Sequence, residues 1–334
     1  MPDIPDASST ALPVLVVGEA LTDVLVDPDG RRRACPGGSP ANVALGLARL
    51  GHPVKLATLV GRDHFGRLLQ AHLGGSGVLL TEGSVTGGPT STATARIDPR
   101  GAASYQFDIR WDPAPAAVDP ARTGPIAHLH TGSIAAALAP GAARVLAAVH
   151  AARPGATVSY DPNLRPALLA AADVERPRVE ELVAASDLVK ASDEDLGWLY
   201  PGRSVREVAA RWVRSGPALV VVTLGAAGAL AVWRHRQLAL PAAPVQVSDS
   251  VGAGDAFMSG LIGGLLRAGL LGAAAPEVPS ARTRLREATG GAQPPPELVR
   301  ALSLAIRAAA LTCTRQGADP PTGAELRQWT PVGS

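Results

Sequence analysis

The sequence predicts an α/β fold from three observations. Short apolar runs recur along the chain, and each ends in a polar or glycine loop. They are Leu12 to Val17, Val54 to Val60, Ile126 to His130, Ala156 to Tyr160, Asp187 to Val189 and Ala218 to Thr223. Runs of that length with such ends read as buried strands. Longer Ala- and Leu-rich stretches of helical length stand between them. The third observation is a strand-like run, Ala243 to Val247, that passes through a small-residue turn into an apolar helix from Ala256 to Leu270.

At 334 residues the chain has room for about two domains or one large α/β domain. Hydrophobic residues make up 46% and aromatics only 3%, so Ala, Val and Leu must build the core. The net charge of +2 is spread with mixed signs. Arg31-Arg32-Arg33, beside Asp29-Gly30, is the one basic run and reads as a solvated turn, so no nucleic-acid partner is expected. Cys35 and Cys313 make neither a disulfide framework nor a metal cluster. The first ten residues lack the basic and apolar regions of a signal peptide. The most apolar stretch, Ala218 to Trp233, is broken by Thr223, Gly225 and Gly228, which suggests two strands about a turn rather than a membrane span. These readings predict a soluble, cytoplasmic domain over 12–330, after a disordered tail at 1–11.

Asp249-Ser250-Val251-Gly252-Ala253-Gly254-Asp255-Ala256-Phe257 is the most informative string. A strand, a tight turn and a helix start leave backbone N–H groups unpaired and pointing one way. Such a nest attracts an anion, and the helix dipole adds to the attraction. Asp255 falls in the first helical turn. It can cap that helix, or it can take a proton from a hydroxyl that attacks a phosphoryl group.

The other polar strings also sit at strand ends, where α/β sheets collect ligands. Gly18 to Asp23 follows the first strand, and Asp23 can accept two hydrogen bonds from a diol. Gly37-Gly38-Ser39-Pro40-Ala41-Asn42 opens a helix running to about Leu50, with Asn42 near its first turn. Gly61 to Gly66 leads into a helix from Arg67 to Leu73, with His64 and His72 as surface residues. Thr90 to Asp98 and Ser104 to Trp111 form a hairpin pattern about Pro99-Arg100-Gly101, and Arg110 would face solvent or substrate. Asp161-Pro162-Asn163-Leu164-Arg165-Pro166 is a loop stiffened by two prolines. Lys190 to Asp195 carries three acids at a helix start, which the helix dipole alone would favour. Thr223 to Gly228 is a glycine turn able to cover a nucleotide. Leu271 to Pro296 reads as a surface insertion, and Leu298 to Leu311 as the last apolar helix.

A phosphate-binding P-loop needs Gly-Lys, and both lysines, Lys55 and Lys190, follow Val. No G-x-G-x-x-G follows the first strand, and no G-x-S-x-G elbow is present. The strings at 37–44, 61–66, 161–166, 190–195 and 249–257 instead resemble the ribokinase-like, or PfkB, family of carbohydrate kinases, in its fructokinase-like branch. The resemblance runs from about Val14 to Thr322 with the motifs in the family's order.

The resemblance implies a ribokinase-like three-layer α/β/α fold, with a central, mostly parallel sheet and a small β lid from about 21–36 and 89–111. The lid would exclude water, which otherwise competes as phosphoryl acceptor. Asp255 would be the general base, with the amides of Gly252, Ala253 and Gly254 stabilising the transferring phosphoryl group. Asp23, Gly37, Gly38, Asn42, Arg110 and Arg165 would face the sugar. Lys190, Thr223, Gly225, Gly228 and Gly254 would face ATP. Asp249, Val251, Thr312 and Gly317 would hold a monovalent cation, K⁺, and Asp193 would hold Mg²⁺ through water. In the family's metal segment Lys190 and Asp193 are read as standing for Asn and Glu. Ile306 and Arg307 depart from relatives that carry small residues or Asn near the adenine. Fructose is the expected acceptor. 2-Keto-3-deoxygluconate or a nucleoside is the alternative within the family, and a catalytically silent sugar-binding regulator is the alternative outside catalysis. A homodimer through the lids also follows from the resemblance.

Overall fold

The protein is described by a computed structural model that covers residues 11–97, 103–234, 236–273, 280–291 and 293–330. Residues 1–10 of the expected tail and the Pro99-Arg100-Gly101 turn lie outside the described residues. The strands are β1 (Val14–Val17), β2 (Leu21–Val26), β3 (Arg32–Gly37), β4 (Val54–Ala57), β5 (Val78–Leu80), β6 (Thr92–Ile97), β7 (Ala103–Asp108), β8 (His128–Gly132), β9 (Thr157–Asp161), β10 (Leu188–Ser192), β11 (Leu219–Thr223), β12 (Ala229–Trp233) and β13 (Arg236–Leu240). The helices are α1 (Ser39–Arg49), α2 (His64–Gly74), α3 (Pro115–Val118), α4 (Ser133–Ala137), α5 (Gly141–Ala152), α6 (Ala172–Ala185), α7 (Asp193–Leu199), α8 (Val205–Ser215), α9 (Ala253–Arg267), α10 (Ala281–Ala288), α11 (Pro296–Cys313) and α12 (Gly323–Gln328).

The main sheet runs β13-β12-β11-β10-β9-β8-β1-β4-β5. Every pair from β11 to β5 is parallel, and β12 and β13 turn back antiparallel. β1, β11 and β12 read as nearly continuous apolar runs because both faces are covered. Successive side chains of β1 point to opposite faces. Val14 and Val16 join a core with α1, α9 and α11, while Leu15 and Val17 join one with α5, α6 and α8. The scarcity of aromatics is met by close helix packing. A Cβ on Gly260 or Gly264 of α9 would lie 2.9 and 2.7 Å from the Cα atoms of Ala305 and Ala301 on α11. Side chains at those two positions would push the helices apart.

The strand order reverses between β1 and β8, so the crevice beyond their carboxyl ends is where this architecture gathers a ligand. A second sheet, β3-β2-β6-β7, stands over that end. Asp63, the N-cap of α2, roots it: its carboxylate accepts from the Gly66 amide (2.7 Å), the Thr90 amide (2.8 Å) and the Thr90 hydroxyl (2.7 Å).

Several expected boundaries moved. Residues 243–247 form no strand; Pro244 lacks an amide, and the run leads to Ser248 and Asp249, whose amides both donate to the Cys313 carbonyl. Arg32 and Arg33 lie in β3 rather than in a turn, with exposed side chains. The insertion contributes α10, pinned where Arg282 pairs with the buried Asp187 at 2.6 Å. No helix of the described residues is long and apolar enough to cross a membrane.

Candidate active site

α9 starts at Ala253, three residues before the expected Ala256, because Gly252 turns the chain with φ 76° and ψ 0°. A side chain there would be strained, and its Cβ would lie 2.6 Å from that of Ala318. Asp255 lies in the first turn of α9, as expected, and is 7% exposed. Its Oδ1 accepts from the Ser39 hydroxyl at 2.7 Å and its Oδ2 from the Asn42 amide at 2.8 Å. Ser39 opens α1 and Asn42 lies one turn further, so two helix N-termini converge on one carboxylate. Burial raises the Asp255 pKa, and Asn42, Ser39, Lys190 and Arg165 offset part of that rise. A free lone pair remains on each oxygen to take a proton.

A cavity of about 350 Å³ opens beside this carboxylate. Of the residues singled out in the sequence, Asp23, Gly38, Asn42, Arg165, Val251, Gly252, Gly254 and Asp255 line it. Asp23 itself is exposed on β2, yet the atoms packed around its carboxyl desolvate it and raise it to about 6, against an opposing pull from Arg165. Gly37 stands just behind: a Cβ there would lie 2.2 Å from Asp23 Oδ2, so the glycine makes room for that carboxylate. Ala253 does not line the cavity, and its amide donates to the Ser250 carbonyl at 3.2 Å. Arg110 does not line it either. Its side chain is exposed, and its amide and carbonyl both bond the Ser91 hydroxyl. The sequence reading passed over Glu19, Ser39, Phe107 and Ser133, which also line the cavity. Ser133 and Asn163, both in the lining, have positive φ values of 57° and 38°. Non-glycine strain of this kind collects at functional sites.

Lys190 is buried beneath the first turn of α9. Its ammonium pairs with Asp161 at 2.8 Å and would be 3.0 Å from a Cβ on Gly254. Burial pulls the Lys190 pKa down, but Asp161, Asp195 and Asp255 together outweigh this and keep the ammonium charged. Asp193 is exposed and, among the described residues, accepts from the neighbouring Glu194 amide alone. Asp195 is the buried acid of that segment. It closes a capping box with Ser192 and accepts from the Leu164 amide at 2.7 Å, which holds the 161–166 loop in place. The Ser-x-x-Asp spacing that signals this cap is legible at 192–195.

Beside the site, Thr223 ends β11 and bonds the Ala191 carbonyl at 3.3 Å. Gly225 and Gly228 turn the following loop with φ values of 53° and 95°. Asp249 clasps two loops, accepting from the Val251 amide at 3.0 Å and the Gly317 amide at 2.9 Å. The Thr312 hydroxyl turns back to the Ala308 carbonyl, and the Thr312 carbonyl accepts from the Arg315 amide at 3.0 Å. Arg307 is engaged with α12, donating to the Leu326 and Trp329 carbonyls and lying over the Trp329 ring.

Residues 13–324 match the model of the pfkB family carbohydrate kinases. The chain belongs to that family. It is therefore a sugar phosphotransferase, and its two sheets are the ribokinase-like body and lid. A fructokinase of Klebsiella pneumoniae is 36% identical over 279 residues, covering 81% of this chain and 91% of the relative. A double-mutant fructokinase of Vibrio cholerae O395, solved with fructose, ADP and potassium ion bound, superposes with a TM-score of 0.75 at 28% identity, covering 96% of this chain and 99% of that one. A fructokinase of Xylella fastidiosa with bound ATP gives a TM-score of 0.77 at 28% identity, covering 94% and 97%.

Proposed function

We propose that this pfkB kinase transfers the γ-phosphoryl group of ATP to a primary hydroxyl of fructose. One observation carries the reading: a buried carboxylate, Asp255, stands between a hydroxyl-binding cavity and the amide-bearing start of α9. The sugar O–H gives its proton to Asp255, the oxygen bonds to the γ-phosphorus, and the bond to the β-phosphate oxygen breaks. Gly252 and Gly254 present main chain to the moving charge, with Lys190 beneath them. ADP leaves, and Asp255 passes its proton to solvent. Asp23 and Asn42 hold the sugar, and Thr223, Gly225 and Gly228 flank the nucleotide.

The cavity's charge favours a neutral acceptor. Asp23, Asp255 and Glu19, the last with its carboxyl raised to about 7, line it against one cation among the lining residues, Arg165, so an acidic sugar such as 2-keto-3-deoxygluconate would find no surplus of positive charge. Among the described residues no three His, Cys, Asp or Glu side chains gather as metal ligands. Mg²⁺ would thus arrive on the nucleotide phosphates and neutralise their charge, largely hydrated. A K⁺ ion would be held beside the Asp249 clasp by oxygen atoms of Asp249, Val251, Thr312 and Gly317. A homodimer through the lids would cover Leu25, which is 43% exposed on β2.

An acceptor panel with ATP and Mg²⁺, with and without K⁺, tests the reading through ADP release. Turnover of fructose but not of the keto-acid or adenosine is expected. Silence on every acceptor, with sugar-induced thermal stabilisation, would favour a binding regulator instead.

A further inference from the structure

Glu19 directly follows Gly18 at the end of β1, at the point where the strand order reverses. It is 3% exposed, yet it lines the cavity with Asp23, Asn42 and Arg165. Its Oε2 accepts from the Ala135 amide, in the first turn of α4, at 2.9 Å. Its Oε1 is buried and has no hydrogen-bond partner among the described residues. The Ser133 hydroxyl lies near enough to lower the carboxyl's pKa but does not meet hydrogen-bond geometry with Oε1. Burial outweighs these effects and raises the Glu19 carboxyl to about 7.

Capping α4 accounts for only one of the two oxygens. A neutral side chain could cap that five-residue helix without the penalty of burying a charge. An unpaired carboxylate oxygen is costly in a closed site, and that cost is relieved when a ligand brings a donor. A sugar brings several O–H donors.

Building on the sugar-kinase reading, we propose that Glu19 determines acceptor specificity: its Oε1 accepts a hydrogen bond from one non-reacting sugar hydroxyl, while the Ala135 amide keeps the carboxylate aimed. An acceptor lacking that hydroxyl leaves the oxygen unpaired. Sites built this way reject deoxy analogues far more strongly than apolar pockets reject an extra group.

The test is a cycle on the full-length protein. kcat/KM is measured for fructose and its monodeoxy analogues at non-reacting positions, in wild type and in Glu19→Gln, with the KM for ATP and the Tm recorded alongside. Glutamine keeps an acceptor for the Ala135 amide. In wild type one analogue should be about 10- to 100-fold poorer than fructose. That penalty should largely vanish in the variant while the KM for ATP holds. Equal penalties in both proteins would overturn the proposal, and so would a variant that lowers Tm without changing the pattern. Should the variant not fold, the wild-type panel still decides, because a wild type that tolerates every analogue also overturns it. Absence of fructose turnover by wild type would instead sink the acceptor named above, and the cycle would then be read on analogues of the sugar that the panel finds.

Discussion

Every residue of β1, β8 and β9 is buried, whereas β2 alternates buried and exposed residues and β6 is half-exposed along most of its length. The body carries its functional charges in fixed pairs: Asp255 under Ser39 and Asn42, and Lys190 against Asp161. The lid offers Asp23 and Phe107 from a thin sheet rooted at Asp63. The difference teaches a division of labour. Groups that must be aimed at the reacting atoms are held by the close-packed body. Groups that must admit and cover the sugar stand on a sheet less buried than β1, β8 and β9, the kind of element that opens locally.

The largest effect should come from the body. Asp255→Asn should lower kcat by about 10²–10⁴-fold, the usual worth of a general base, with the KM for ATP little changed. A near-normal kcat in steady-state assays would break the division.

Next comes Lys190→Met, which leaves the Asp161 carboxylate buried and unpaired. Chemical denaturation should show a loss of about 3–5 kcal/mol, largely restored by adding Asp161→Asn. No rescue in the double variant would mean that the pair is not the unit described here.

The lid should act on binding. Asp23→Asn should raise the sugar KM by about tenfold with kcat retained, the loss of one charge-assisted hydrogen bond. Asp23, though exposed as a residue, has a carboxyl raised to about 6 by local desolvation, and the charged form best accepts from sugar hydroxyls. Affinity should therefore fall as pH drops through about 6, and KM measured against pH should lose that step in the variant.

The smallest effect is at the lid's root. Asp63→Ala removes a helix cap and two bonds to Thr90 and should cost about 1–2 kcal/mol. It should also raise sugar-independent ATP hydrolysis, since a looser lid admits water; an unchanged hydrolysis rate would detach Asp63 from lid closure.

Much of the site was legible because its strings are local. The turn before α9 needs small residues, and they stand in sequence. The sequence is ambiguous where two causes produce one pattern. The acids at 193–195 suit a helix dipole as well as a hydrated Mg²⁺ at Asp193, and the structure turns Asp193 to solvent and buries Asp195 in a capping box. The run at 243–247 has strand composition but no strand beside it to complete a ladder. Arg110 was weighed equally for solvent and substrate, and its exposed side chain lies outside the cavity lining.

The chain alone determined the alternation of strands and helices, the tight turn at Gly252 and the placement of Asp255 in a first helical turn. These depend on backbone conformation over a few residues. Only the folded molecule decided that Asp255 meets Ser39 and Asn42, more than two hundred positions away, and that Lys190 meets Asp161. A buried charge must have a partner, but the residues beside it in the chain do not say which one it will be.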